Sequence, residues 1–192
     1  MLDDWLRALV ATPGLTAITD LEEARRRLLE DSLRGVPVVR EFAGPIVDVG
    51  SGGGVPGIPL AATLPEREVT LLEATRRKAD FLDRWTRELP NLRVVWGRAE
   101  EQDPDRFGVA VAKALAPPAV AMERCLPLVA PAGAAILWVG ESVEPATLAE
   151  GAALLGAEPP EVRDGLVVFR KVRPTPAGFP RRVGVARKRP LA

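Results

Sequence analysis

The stretch PIVDVGSGGGVPGIPL, residues Pro45 to Leu60, decides the fold. A short apolar run is followed directly by four glycines within five positions, Gly50, Gly52, Gly53 and Gly54. The pattern predicts a strand, a tight turn and a helix whose beginning is marked by Pro56. Glycines let the backbone approach a ligand closely, under a helix N-terminus whose free amides favour polar or anionic groups. A nucleotide-like cofactor is therefore the first hypothesis.

Two overlapping patterns in this loop leave the type of cofactor open. Gly52, Gly54 and Gly57 satisfy G-x-G-x-x-G, the dinucleotide fingerprint. Asp48, Gly50, Gly52 and Gly54 satisfy D-x-G-x-G-x-G, which resembles motif I of the class I S-adenosylmethionine-dependent methyltransferases. An acid inside the first strand suits a cofactor without phosphates. A loop that only turns the chain is the third interpretation, although it needs fewer glycines.

Composition excludes several classes of chemistry. The chain has 192 residues, enough for one domain with a full core, and no histidine. Its single cysteine, Cys125, excludes internal disulfides and Cys-based zinc sites, and we expect it to be a core residue. Without imidazole, Ser-His-Asp hydrolysis and His-ligated metal catalysis are unavailable, so we expect no metal. No apolar run has membrane-spanning length and the N-terminus lacks a basic leader, so we expect a cytoplasmic protein with no membrane contact.

Strand and helix patterns alternate along the chain and predict an α/β fold. The predicted strands are 46–49, 68–72, 92–96, 108–115 and 133–140, with a hairpin of 162–164 and 166–171, and the predicted helices are 2–11, 20–33, 76–89, 120–129 and 145–155. This order predicts one doubly wound, mostly parallel sheet of the Rossmann-like methyltransferase class, with an antiparallel last strand and short N-terminal helices.

Three positions at strand ends are candidates for the cofactor site. Glu73 ends the second strand about 20 residues past the glycines, where an acid accepts hydrogen bonds from ribose hydroxyls. The loop Gly97 to Glu101 follows the third strand, where an adenine would lie. Lys113 interrupts the apolar fourth strand. Its side chain either reaches from the sheet edge into water or faces the ligand crevice.

The charge distribution indicates a polyanionic partner. Residues 170–192 contain eight basic residues and no acid, which leaves 18 of the 26 basic residues and all 26 acids in residues 1–169. Interspersed prolines and glycines predict an extended tail rather than a helix. A tail that is merely solvated is the alternative. Arg25, Arg26 and Arg27 on the second helix are a weaker indication of RNA contact.

With these residues placed, the chain resembles the RsmG (GidB) family of small-subunit ribosomal RNA guanine-N7 methyltransferases over nearly its whole length. The matching stretches are LTAITDLEEARRRLLEDSL (15–33), DVGSGGGVPGIPL (48–60), LLEATRRKADFL, GRAEE, LWVG preceded by Pro-Ala-Gly, and the terminal FPRRVGVARKRPL. Three departures are notable: Leu28 replaces an expected histidine, Val139 replaces an expected lysine, and the N-terminal helical region is short.

The resemblance implies site residues at the matching positions. Those expected to bind S-adenosylmethionine, and its product S-adenosylhomocysteine, are Asp48, Gly50, Gly52, Gly54, Val55, Glu73, Ala74, Thr75, Ala99, Glu100 and Lys113. Lys113 stands where the family usually has arginine next to the reacting centre, and it is the expected catalytic residue. The expected RNA-binding residues are Arg25, Arg26, Arg181, Arg182, Arg187, Lys188 and Arg189. Phe179 either stacks on a base or pins the tail to the domain.

The implied activity is methyl transfer to N7 of a guanine in 16S rRNA of the small ribosomal subunit. Guanine N7 carries a lone pair and no proton, so a site without histidine is compatible with this reaction. We expect a monomer with an N-terminal helical segment (1–35), a methyltransferase domain (36–172) and a basic tail packed on it (173–192). The alternatives are a protein of the same fold that binds cofactor or RNA with reduced or lost turnover, a nicotinamide-dependent oxidoreductase, and a small-molecule methyltransferase.

Overall fold

One sheet of seven strands organises the residues that the structure, a computed structural model, describes: 1–139 and 144–192. The strands are β1 (Ile46–Val49), β2 (Val69–Glu73), β3 (Leu92–Trp96), β4 (Phe107–Lys113), β5 (Val129–Trp138), β6 (Glu161–Arg163) and β7 (Leu166–Arg170). Their order is β3-β2-β1-β4-β5-β7-β6. Strands β1 to β5 pair in parallel, and β7 pairs antiparallel with both β5 and β6. The predicted fold class is confirmed.

Short helices connect and cover the strands. The α-helices are α1 (Leu2–Ala11), α2 (Leu21–Ala24), α3 (Asp31–Leu33), α4 (Val36–Val39), α5 (Gly57–Thr63), α6 (Arg76–Asp83), α7 (Pro118–Cys125), α8 (Ala149–Leu154) and α9 (Val185–Lys188). A π-helical turn, Arg25–Glu30, joins α2 to α3, and 3₁₀ turns span Arg84–Arg87, Ala99–Glu101, Leu126–Leu128 and Pro145–Leu148. Among the described residues, no helix is both long and apolar enough to cross a membrane.

The hydrophobic core lies on both faces of the sheet because successive strand residues point to opposite sides. Ile46 of β1 belongs to the cluster that contains α1, α5 and α6 side chains. Val47 and Val49 belong to the cluster formed with α7 and α8. Cys125 is fully buried in this second cluster, and burial raises the pKa of its thiol. The expectation that Cys125 is a core residue is confirmed.

Local signals in the sequence mark several element boundaries correctly. The first predicted helix coincides with α1. The Asp20 side chain caps α2 by accepting a hydrogen bond from the Glu23 amide at 2.8 Å. Pro56 immediately precedes α5. Strand β5 begins at Val129, four residues before the predicted start, and Gly140, its predicted end, lies outside the described residues.

The C-terminal tail was expected to be extended rather than helical. This expectation is wrong for residues Val185–Lys188, which form α9. Gly184 has φ +82°, a left-handed conformation that glycine adopts readily, and it leads directly into this four-residue helix. Ala186 is 2% exposed, so its burial against the domain stabilises the turn. Phe179 and Leu191 also pack against the second cluster, which favours the anchoring role for Phe179. The division at residues 35 and 172 stays a prediction.

Candidate active site

The glycine loop after β1 has a backbone that only glycine accepts at two positions. Gly50 has φ +73°, and a Cβ there would lie 2.3 Å from Leu115 Cδ1. Gly54 has φ +96°, and a Cβ there would lie 2.4 Å from Ile58 Cδ1. Both the left-handed backbone and the close packing therefore require glycine. The loop sits at the carboxyl end of the parallel strands, where open α/β sheets bind ligands.

Asp48 supports this loop from behind. Its carboxylate Oδ2 accepts a hydrogen bond from the Gly57 amide at 2.9 Å, and its backbone oxygen accepts one from the Ser51 hydroxyl at 2.8 Å. The side chain is fully buried, and its Oδ1 has no hydrogen-bond partner in the part of the chain that the structure describes. Burial raises the pKa of Asp48 to about 7, against the opposing effect of the Gly57 hydrogen bond. The structure thus places Asp48 as a support of the loop, and not on a cavity wall as expected for a cofactor contact.

Glu73 faces the glycine loop from the end of β2. Its Oε2 accepts a hydrogen bond from the Gly52 amide at 2.9 Å, and its Oε1 accepts one from the Thr75 amide at 2.7 Å. The residue is 6% exposed. An ionised carboxylate has about four lone-pair sites, so two backbone bonds fix its orientation and leave acceptor capacity for ligand hydroxyls.

A cavity of about 300 Å³ opens beside the loop on the β3 side. It is lined by Val49, Gly50, Leu72, Ala74, Gly97, Arg98, Ala99, Glu100, Leu115 and Arg124. Glu100 Oε1 and Arg124 Nε form an ion pair at this cavity, 3.4 Å apart, but neither atom has a hydrogen bond within residues 1–139 and 144–192. The Glu100 side chain is only 7% exposed. Buried polar atoms that make no hydrogen bond are costly, so this lining suits a flat ligand with donor and acceptor groups, such as an adenine.

A larger cavity, of about 650 Å³, lies on the other side of Gly50. Its lining joins the glycine loop to the N-terminal segment: Leu9, Leu15, Thr16, Leu28, Gly50, Ser51, Gly52, Gly53, Val55, Lys78, Lys113 and Ala114. A third cavity, of about 820 Å³, shares Leu28, Lys113 and Ala114 with it and adds Ile18, Arg26, Arg27 and Asp31. The positions predicted for the cofactor and for the reacting centre at Lys113 thus adjoin at Gly50, which lines both of the cavities beside the loop.

Lys113 lies at the boundary of the two larger cavities. Its side chain is 15% exposed, and its Nζ contacts Asp31 Oδ2 at 2.5 Å and donates to the Arg27 backbone oxygen at 2.6 Å. Burial lowers the pKa of Lys113, while the Asp31 carboxylate acts in the opposite direction. Of the two orientations left open by the sequence, the structure has the lysine facing the crevice.

The arginines that the sequence assigns to RNA binding differ in what they contact. Arg25 pairs with Asp3 at 2.6 Å, whereas Arg26 lines the third cavity and has no salt bridge among residues 1–139 and 144–192. Arg181 Nε donates to Glu123 Oε1 at 2.5 Å, and the Glu123 side chain is 2% exposed. Arg181 therefore anchors the tail on α7. The other assigned tail residues, which are exposed, are Arg182, Arg187, Lys188 and Arg189. RNA binding by all of these side chains stays a prediction.

Several residues of the site carry no local signal in the sequence. Trp5 of α1 is fully buried and donates its indole N–H to the Gly53 backbone oxygen at 2.9 Å. Leu9 of the same helix packs so closely that a Cβ on Gly53 would lie 2.2 Å from its Cδ1. Arg124 and Leu115 reach the smaller cavity from α7 and from the loop after β4. These contacts depend on the tertiary arrangement, so only the folded chain reveals them.

The structure places the remaining expected residues as follows. Ala74, Ala99 and Glu100 line the smaller cavity, and Gly52 and Val55 line the larger one. Thr75 contributes its amide to Glu73. Within the described part of the chain, no group of three or more His, Cys, Asp or Glu side chains is arranged to hold a metal ion.

Comparisons with known proteins identify the family. The family model for rRNA small subunit methyltransferase G (GidB) matches residues 4–156. The chain is 36% identical to "Ribosomal RNA small subunit methyltransferase G" of Synechococcus elongatus, over 93% of this chain and 82% of that protein. It is 38% identical to the protein of the same name in Roseiflexus castenholzii, over 97% of this chain and 87% of that protein.

Solved structures share the fold at low identity. A 1,6-didemethyltoxoflavin-N1-methyltransferase of Burkholderia thailandensis, crystallised with S-adenosylhomocysteine, has a TM-score of 0.56 and 17% identity, covering 76% of this chain and 80% of its own. The antibiotic-resistance methyltransferase Kmr has a TM-score of 0.54 and 14% identity, covering 70% and 89%. The sheet is thus that of the S-adenosylmethionine-dependent methyltransferases. On the extent of the family match and the identity to its members, the chain belongs to the rRNA small subunit methyltransferase G (GidB) family.

Proposed function

We propose that the protein transfers a methyl group from S-adenosylmethionine to N7 of a guanine in the 16S rRNA of the small ribosomal subunit. The observation that carries the proposal is the meeting of two cavities at Gly50, with the Glu73 carboxylate held against the loop between them. One cavity suits an adenosine and the other leads to the cationic rim at Arg26 and Lys113. A reaction on ribosomal RNA agrees with a cytoplasmic location.

The residues present fit S-adenosylmethionine. The free lone pairs of Glu73 would accept hydrogen bonds from the two ribose hydroxyls, and Ala74 and Thr75 would lie beside the ribose. Ala99 and Glu100 would flank the adenine, whose amino group could donate to Glu100 and whose ring nitrogens could accept from Arg124, since this ion pair makes no hydrogen bond within the described residues. Gly50, Gly52 and Val55 would border the methionine portion, while Asp48 and Gly54 hold the loop in shape. When bound, the cofactor supplies an electrophilic methyl group on a sulfonium.

The chain's own contribution to catalysis is positioning. Guanine N7 attacks with a lone pair and loses no proton, so the absence of histidine removes nothing that the step requires. Holding two reactants in line can lower a barrier by roughly 7 to 11 kcal/mol. The ammonium of Lys113 has three N–H donors and uses two on Asp31 and Arg27. The third remains for the O6 acceptor of a guanine, which lies beside N7 on the same edge of the base.

RNA binding would come from cations that pair with no carboxylate among residues 1–139 and 144–192. Arg26 stands at the rim of the third cavity, and Arg182, Arg187, Lys188 and Arg189 are exposed on the tail. Contacts to phosphates release counterions, so affinity should fall steeply with salt. Arg181 serves mainly as an internal anchor because its guanidinium group pairs with the buried Glu123, whereas the pair of Arg25 with Asp3 lies at the surface and leaves Arg25 available to a phosphate.

The test is incubation of the purified protein with isotopically labelled S-adenosylmethionine and small subunits that lack this modification, beside naked 16S rRNA. We expect label in 16S rRNA from at least one of the two substrates. Calorimetry with S-adenosylhomocysteine and with NAD completes the test. Binding of S-adenosylhomocysteine without label in rRNA would support the alternative of lost turnover. That alternative is motivated by Leu28 and Val139, which depart from the family pattern. Tight NAD binding alone would support the oxidoreductase alternative.

A further inference from the structure

Trp96 is exposed beside the proposed cofactor site. It is 58% exposed, whereas Trp5 is fully buried and Trp138 is 7% exposed. Trp96 is the last residue of β3, and Gly97 and Arg98 directly after it line the smaller cavity. A large aromatic side chain left in water at the carboxyl edge of a sheet is available to a partner.

The ring of Trp96 is held in a fixed orientation. Its Nε1 donates to the Ala74 backbone oxygen at 3.1 Å, and the Arg76 guanidinium carbon lies 4.8 Å from the ring centroid. An aromatic ring restrained in this way loses little conformational entropy when a ligand stacks on it. The pinned ring therefore behaves as a preformed platform rather than as a mobile surface residue.

Two arginines lie near the ring. Arg76, whose guanidinium lies over the ring, and Arg98, two residues further along the chain, are both exposed, and we call these two residues together with Trp96 the Trp96 patch. Arg76 pairs with Asp80 at 2.8 Å, but both side chains are more than half exposed, and such pairs contribute little. Arg98 has no salt bridge among the described residues. An exposed aromatic ring with guanidinium groups near it is a usual surface for single-stranded nucleic acid, because bases stack and phosphates pair with the cations.

We propose that the Trp96 patch binds a single-stranded segment of the RNA substrate, with one base stacked on the face of Trp96 that Arg76 does not cover and the neighbouring phosphates on Arg76 and Arg98. The proposal rests on the function proposed above and adds a second RNA surface, on the opposite side of the glycine loop from Lys113 and Arg26. The RNA would then contact both sides of the crevice. Structured rRNA offers unpaired loop bases for such stacking.

The experiment compares Trp96→Ala, Trp96→Phe and Leu154→Ala, the last removing an apolar side chain that is 53% exposed on α8. Methylation kinetics with varied rRNA substrate should give a KM about 10-fold higher for Trp96→Ala, the loss expected for one stacked base. Trp96→Phe should restore most of the affinity, and Leu154→Ala should match the wild type. Titration with a single-stranded oligoribonucleotide should quench wild-type tryptophan fluorescence and quench Trp96→Phe much less.

The outcomes separate this proposal from the function on which it rests. A wild-type enzyme that labels rRNA, with unchanged KM and unchanged quenching in the Trp96 variants, overturns the patch and leaves the function standing. A tenfold weaker S-adenosylhomocysteine affinity in Trp96→Ala with an unchanged RNA KM also overturns it, because Trp96 would then belong to the cofactor site. A wild-type protein that labels no rRNA overturns the function, and the quenching experiment alone then decides whether the patch binds RNA.

Discussion

Replacing Trp5 by phenylalanine should weaken cofactor binding, although Trp5 lines no part of the cavities beside the loop. The substitution removes the indole N–H that binds the Gly53 carbonyl and leaves that buried oxygen without a partner, at a cost of about 1–3 kcal/mol. It also removes on the order of 40 Å³ of buried side chain, which adds about 1 kcal/mol at about 24 cal/mol per Å³. We expect the free energy of unfolding to fall by about 2–4 kcal/mol.

The effect on the cofactor follows from the loop that this bond holds. Gly53 lies next to Gly52, whose amide binds Glu73, so Trp5 and Glu73 restrain the two sides of the same turn. Losing one restraint should raise the free energy of the binding-competent loop conformation by about 1.4 kcal/mol relative to its other conformations. S-adenosylhomocysteine should then bind about tenfold more weakly. Isothermal titration calorimetry at 25 °C gives the dissociation constant, and urea unfolding gives the stability.

Trp85→Phe is the matched control because the Trp85 indole nitrogen is buried and has no hydrogen-bond partner among the described residues. The same change of side chain there deletes volume but no bond, so we expect a loss of less than about 1 kcal/mol in stability and no change in affinity. Equal dissociation constants for the two variants would refute the reasoning. A Trp5→Phe protein that is less stable but binds S-adenosylhomocysteine like the wild type would assign Trp5 to the core alone.

Three further substitutions test other parts of the account. Glu73→Gln should weaken S-adenosylhomocysteine binding by roughly tenfold in calorimetry, since hydrogen bonds to a charged group contribute about 1.5–3 kcal/mol; unchanged affinity would remove Glu73 from the site. Burial raises the folded-state pKa of Asp48 to about 7, above its unfolded value, so the folded protein binds a proton more tightly than the unfolded chain. Wild-type stability should therefore fall by roughly 3 kcal/mol between pH 5 and pH 8. Urea unfolding of Asp48→Asn should show a flatter dependence of stability on pH. Arg181→Gln leaves the buried Glu123 carboxylate unpaired and should lower the free energy of unfolding by about 3–5 kcal/mol, measured by thermal or urea unfolding. Arg182→Gln should leave stability unchanged. It should reduce the slope of log K for RNA binding against log salt concentration by about one unit.

The sequence alone predicts the glycine loop and Glu73 because the patterns that indicate them lie within short stretches of the chain. Glycines directly after an apolar run predict a ligand loop, and Glu73 follows from the length of one β-α-β unit. Parallel pairing then brings the two together: Val49 of β1 lies opposite Leu72 of β2, next to Glu73. A residue's position along a parallel strand is enough to place it at the carboxyl edge.

The parts that could not be predicted depend on contacts between residues far apart in the chain. Arg181 and Glu123 are separated by 58 residues, and nothing in the tail's composition distinguishes an arginine in a buried ion pair from an exposed one such as Arg182. The Trp5 bond to Gly53 spans 48 residues. Asp48 matches a cofactor motif, but whether its carboxylate faces the ligand or the protein interior depends on where α5 begins. Composition alone therefore does not separate the arginines that hold the fold together from those that are exposed.

The most direct measurement is the chemical identity of the methylated atom. After incubation with S-adenosylmethionine, 16S rRNA from unmodified small subunits is reduced with borohydride and cleaved with aniline, a treatment that breaks the chain at 7-methylguanosine because its imidazolium ring is open to reduction. We predict one new cleavage site at a guanine, dependent on both enzyme and cofactor. Methyl label in the rRNA without any such cleavage, or no label at all, would contradict transfer to guanine N7.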